Sequence, residues 1–164
     1  MALKATSFLL SVVLLLTSCA SQPVALTVVG PNPFTHGASS VHNGDLQVYT
    51  QVEEYYEDQM AYFPHTDYQI YTADGKRLKR VWNHHNHQDE SPATVTLPPG
   101  EYLVKAWAEF YGFVTVPVVI KPNQTTRVIL QPGWKPRTTV ASSDLVQMPN
   151  GYFVGWRAEL PETK

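Results

Sequence analysis

The feature that most restricts this fold is a series of short segments in which apolar residues recur at every second position, with turn-forming residues between them. Leu46, Val48, Thr50 and Val52 alternate with Gln47, Tyr49, Gln51 and Glu53. A period of two sends successive side chains to opposite faces of a strand, so one face is prepared for a core and the other for water. No helical periodicity appears after residue 18. The 164-residue chain also has a single cysteine. Disulfides within the chain are therefore excluded, and so are zinc sites of the Cys-x-x-Cys type. Packing alone must hold the fold.

Further segments repeat the pattern. Tyr68 to Thr72 reads as a strand, Asp74-Gly75 as a hairpin turn, and Arg77 to Trp82 as the returning strand. Ala93 to Leu97 ends at Pro98-Pro99-Gly100, which no helix can cross. In Glu101 to Phe110, Tyr102, Val104, Ala106 and Ala108 share one face, against Leu103, Lys105, Trp107 and Glu109. Tyr111-Gly112 breaks that strand. Phe113 to Ile120 follows, with Pro117 marking an edge strand or a bulge. Lys121 to Gln124 is a turn, and Thr125 to Leu130 closes the run. Beyond Pro132-Gly133-Trp134, Asn150-Gly151 predicts a hairpin between Leu145–Met148 and Tyr152–Trp156. The expected class is all-β: a Greek-key β-sandwich of about seven strands with an extra C-terminal β-hairpin.

The N-terminus carries a separate message. Lys4 supplies a positive charge, Phe8 to Leu16 is apolar apart from Ser11, and Leu16-Thr17-Ser18-Cys19 follows. The apolar run is too short to span a bilayer with these flanks. This arrangement resembles the signal and lipobox of bacterial lipoproteins. The resemblance implies cleavage before Cys19, a diacylglyceryl group on its sulfur, and usually an acylated amino terminus. Two or more chains give stable anchoring, each buried methylene contributing about 0.8 kcal/mol. Ala20 and Ser21 lack the aspartate that retains many enterobacterial lipoproteins at the inner membrane, which points to the outer membrane in a diderm cell. The expected organisation is residues 1–18 as signal, 19–43 as lipidated cysteine and flexible tether, 44–131 as the sandwich, and 132–164 as a C-terminal extension. Within the tether, the apolar run Val24 to Val29 also reads as a possible first strand.

Ala93 to Leu130 resembles a second family. Val95-Thr96-Leu97-Pro98-Pro99-Gly100-Glu101-Tyr102-Leu103-Val104-Lys105-Ala106, then Tyr111-Gly112 and Val116-Pro117-Val118, is similar to carboxypeptidase-regulatory-like and related prealbumin-like modules. That resemblance implies a Greek-key sandwich acting as a spacer, an adhesion part or a carbohydrate-contacting platform. It transfers no catalytic residue.

Three clusters are candidates for chemistry. In Asn83 to Glu90, the imidazoles of His84, His85 and His87 with the Asp89 carboxylate are of the type that binds zinc, copper or nickel; the alternative is a solvated loop. In Glu53 to Tyr68, Tyr55, Tyr56 and Tyr62 can stack on sugar rings or anchor a partner; the alternative is an irregular loop capping the sandwich. Calcium-loop spacing is missing there. Trp107 falls beside Lys105 and Glu109 and is either exposed or covered by the tail hairpin. The chain has no Gly-x-Ser-x-Gly elbow, His-Glu-x-x-His, P-loop or Gly-x-Gly-x-x-Gly.

With 12 basic against 14 acidic residues and a formal charge of −2, nucleic acid is not an expected partner. The expectation is a non-enzymatic, lipid-anchored cell-envelope protein, a binding or structural module with no cofactor. Its partners would be the membrane and an envelope protein or glycan. A periplasmic metal-binding protein and a carbohydrate-binding module are the alternatives. Mass spectrometry of the natural protein is expected to find an N-terminal peptide that begins at Cys19 and carries fatty acyl mass; an unmodified N-terminus would exclude the anchor.

Overall fold

The computed structural model describes residues 25–36, 43–136 and 140–159. The signal segment and Cys19 lie outside the described residues. Twelve strands are present among those described. They are β1 (Val29–His36), β2 (Gly44–Tyr49), β3 (Tyr55–Glu57), β4 (Met60–Tyr62), β5 (Tyr68–Thr72) and β6 (Arg77–Val81), followed by β7 (Thr94–Leu97), β8 (Gly100–Ala108), β9 (Gly112–Ile120), β10 (Gln124–Ile129), β11 (Leu145–Gln147) and β12 (Phe153–Arg157). The described residues contain no α-helix, only a 3-10 turn at Ser142–Asp144.

The fold is all-β and sandwich-like. One layer runs β6-β5-β8-β9-β1, continued by β12 and β11; the other runs β1-β10-β2-β7. Strand β1 belongs to both. Its first residues pair with β12 and, at Val29↔Val118, with β9, whereas from Pro31 onward it pairs with β10. The seven body strands and the tail hairpin read from the sequence are all there. Strands β1, β3 and β4 are additional.

Alternation decides which face is covered. Val104, Ala106, Val116 and Val118 point inward from β8 and β9, and Leu46, Val48, Val95 and Val128 from the other layer; all are buried in one cluster. Burying an aliphatic side chain of this size contributes roughly 1.5–3 kcal/mol. The intervening residues Lys105, Trp107 and Phe113 are left on the outside.

Two expectations change, and the packing of the tail hairpin, which its sequence left open, is decided. Residues 29–36, expected within a tether, form β1, because Val29 fills a fully buried position between β9 and β12. The C-terminal hairpin is part of the sandwich, with Leu145, Val146, Met148 and Val154 buried. Strand β9 is not an edge. Pro117 faces Leu103 within an unbroken β8–β9 ladder, so its missing donor is directed to the flank where β1 meets β9 at Val118 alone.

Gly30 is where β1 passes between layers. A Cβ there would lie 2.6 Å from Ala158 Cα, closer than any side chain tolerates. Gly30→Ala must push β1 away from the end of β12. Denaturant unfolding is expected to show a loss of about 1–3 kcal/mol, the usual cost of overpacking; an unchanged midpoint would mean that this approach does not matter.

Candidate functional site

The outer face of β6-β5-β8-β9 is open to solvent and carries large aromatic rings. Trp82 is 67 % exposed, Trp107 50 % and Phe113 55 %. Isolated exposed apolar residues are ordinary, but a contiguous group marks an interaction surface. These three line a groove of about 410 Å³, together with Asp67, Gln69, Arg80 and Lys105. Trp107 and Phe113 face each other across β8 and β9 and meet edge to face, centroids 5.6 Å apart.

Two cations on this face ride on rings. The Arg80 guanidinium lies 4.4 Å from the Trp82 ring centre, and Lys105 Nζ lies 4.2 Å from that of Tyr71. Such contacts hold a charge in place without neutralising it. Arg80 also pairs with Asp67 at 2.9 Å. Lys105 has no ion pair among the described residues.

A buried amide sets the height of this wall. Asn83 is fully buried directly after Trp82. Its Nδ2 donates to the Val48 carbonyl at 2.8 Å and to Thr50 Oγ1 at 3.2 Å, and its Oδ1 accepts from Ala93 N at 3.0 Å. Its backbone N–H donates to Asp67 Oδ1 at 3.2 Å. The amide thus ties β6 to both β2 and β7, and Asp67 is occupied on both oxygens. Thr66 and Tyr68, each with a buried hydroxyl that has no partner among the described residues, border the groove.

The predicted site residues divide. Trp107 lies in the groove and is exposed, not covered by the tail. His84 also borders the groove, with Nδ1 donating to the His65 carbonyl at 2.9 Å. His87 instead stacks on Tyr55, centroids 4.6 Å apart, and Tyr55 pairs with Tyr62 in the β3–β4 hairpin. Tyr56 is exposed, its hydroxyl on Glu54. Asp89 accepts the backbone N–H groups of Ser91 and His85, which hold its carboxyl below the usual range. The His loop is therefore used to fasten the β3–β4 hairpin, helped by Gln88 on Glu57 and Glu90 on Phe63 N. Among the described residues no group of three His, Cys, Asp or Glu side chains is arranged to hold a metal ion.

Sequence reading missed Arg80, Gln69, Asp67 and Phe113 as partners of Trp107. The signal was there in part, since Lys105 and Trp107 share the outward parity of β8; the registers with β5 and β6 were needed to add the rest. A larger groove of about 570 Å³ runs beside β1 and β12. Its Lys121 is tied to Glu159 at 3.4 Å, its Arg157 donates to the Ser143 carbonyl, and its Trp156 is buried.

Comparison with protein-family models, with curated proteins and with solved structures gives no match for this chain.

Behind the groove, His65 is 3 % exposed and its Nδ1 donates to the Thr50 carbonyl at 2.9 Å. Burial lowers its pKa from the ordinary value, outweighing the Thr50 contact and the carboxylates of Asp89, Glu109 and Glu90. The unfolded chain then takes up a proton at higher pH than the folded one, so His65 costs stability as pH falls below about 6.5. Denaturant titrations are expected to show stability declining from pH 7.5 to 5.5, and His65→Gln to flatten that slope. Asp74 and Asp89, with lowered pKa values, act below roughly pH 4 and leave the window clear.

Proposed function

We propose that this chain is a non-enzymatic, lipid-anchored module of the cell envelope that binds a glycan through the outer face of β6-β5-β8-β9. The observation that carries the reading is the exposed set Trp82, Trp107 and Phe113 around a groove lined with hydrogen-bonding side chains. A sugar ring has apolar C–H faces and a polar rim. Flat aromatic side chains flanked by amide, carboxylate and cationic groups complement both at once. A rigid sheet also holds these groups at fixed spacing, so little order has to be created on binding.

Other features agree with the reading. The lipobox-like segment before Cys19 supplies an anchor at the envelope. The resemblance of Ala93–Leu130 to prealbumin-like modules suits an accessory role without chemistry of its own. The metal-binding alternative loses support, because His87 is stacked on Tyr55 of the hairpin and Asp89 is taken by two backbone N–H groups of its own loop.

The test uses the full chain with Cys19→Ala, so that lipid plays no part. Incubated with envelope glycan stripped of protein and lipid, it is expected to sediment with the glycan. A Trp82→Ala/Trp107→Ala variant is expected to remain in the supernatant while still unfolding in one cooperative transition well above the denaturant-free condition of the assay. Equal sedimentation of the two proteins would remove the reading.

A further inference from the structure

The groove has a regularity that bears on the charge of its ligand. Gln69 stands opposite Arg80 on one side and Lys105 on the other, and Lys105 stands opposite Thr115. These four residues form one row across β6, β5, β8 and β9. Neighbouring strands are about 4.8 Å apart, so Arg80 to Lys105 spans on the order of 10 Å. The row is rich in donors. Tyr71 Oη donates to Gln69 Oε1 at 2.6 Å, which occupies the carbonyl and leaves the Nε2 group as that side chain's free donor. Lys105 has three N–H groups and no carboxylate partner among the described residues. Arg80 spends Nη2 on Asp67 and keeps a side chain that is 56 % exposed.

The aromatic row runs parallel to this one. Trp107 opposite Phe113 lies two residues along β8 from Lys105, and Trp82 lies two residues from Arg80. Two residues along a strand cover about 7 Å. A ring substituent plus one hydrogen bond spans that gap. The donor row itself holds two cations and no carboxylate. Outside the groove the same face carries Arg77, exposed opposite Tyr71, and Glu101, exposed on β8, which offset each other. Of the two carboxylates at the groove, Asp67 is already committed to Arg80 and to Asn83 N, which leaves Glu53. Within the groove Arg80 and Lys105 therefore stand against two carboxylates, and Lys105 is the cation with no ion pair among the described residues.

We infer that the groove takes an acidic carbohydrate, with a sugar ring stacked against Trp107 and Phe113 and its carboxylate or sulfate on Lys105, Gln69 and Arg80. The inference rests on the glycan-binding reading above and adds the charge of the ligand. An anionic membrane surface would satisfy the cations but does not require the fixed spacing of Gln69 between Arg80 and Lys105.

The experiment follows tryptophan fluorescence of the full chain carrying Cys19→Ala. The probes are tetragalacturonate, its fully methyl-esterified form, a heparin tetrasaccharide and phosphatidylglycerol vesicles. At least one acidic oligosaccharide is expected to bind at least tenfold more tightly than the ester and to weaken as salt rises. Lys105→Gln is expected to lose about tenfold toward that acidic probe and to leave the ester unchanged; Trp107→Ala is expected to weaken both. Equal binding of acid and ester would overturn the inference while the glycan-binding reading stood, provided that sedimentation with envelope glycan still required Trp82 and Trp107. No response to either acidic oligosaccharide, or a response to vesicles alone, would also overturn it.

Discussion

Strand β1 has to serve two layers within eight residues, and the rest of the architecture follows from how it does so. At Gly30 its backbone runs so close to Ala158 that a side chain cannot be accommodated. From Pro31 it turns onto β10. This passage joins the β6-β5-β8-β9 layer to the β10-β2-β7 layer, and Val29 fills the seam. Once the layers are joined there, parity along β8 and β9 allows one outcome: valines and alanines turn in, and Lys105, Trp107 and Phe113 turn out. The exposed aromatic face is a consequence of closing the core on the other side.

A buried polar network then fixes the border of that face. Asn83 satisfies a carbonyl, a hydroxyl and an amide group of three residues from two parts of the chain, where leaving any of them unpaired would cost about 1–3 kcal/mol. Because Asn83 directly follows Trp82 and directly precedes His84, both groove residues are held by an anchor between them. Preorganisation of this kind is what a binding surface needs and what an isolated polar loop lacks. The same reasoning explains the His loop. Its acidic and amide side chains are spent on the backbone turn and on the β3–β4 hairpin, so its imidazoles are structural neighbours without a common focus.

Much of the fold was legible because period-two alternation and turn chemistry are local. Asp74-Gly75 and Asn150-Gly151 announced their hairpins, with Gly75 and Gly151 at positive φ. The β3–β4 hairpin escaped notice for an equally local reason. Its turn places Asp58 and Gln59 at positive φ, a conformation that Gly or Asn would have advertised and that Gln does not. Strand β1 was obscured by Gly30, Pro31 and Pro33, which read as linker residues. Here they mark a strand that changes partners, where a missing side chain and missing donors are assets.

The chain's local pattern by itself determined the class: strands of a given parity, an inward set of aliphatic residues, and no disulfide within the chain. It also placed Lys105 and Trp107 on one side of one strand. Only the tertiary structure decided what stands next to them. Registers of β8 with β5, and of β5 with β6, brought Gln69, Arg80 and Trp82 alongside Lys105 and Trp107, and ran β2 parallel to β10. Alternation fixes which face a side chain occupies. Which residue it meets across the sheet depends on strand order and register, and those are set by non-local closure of the core.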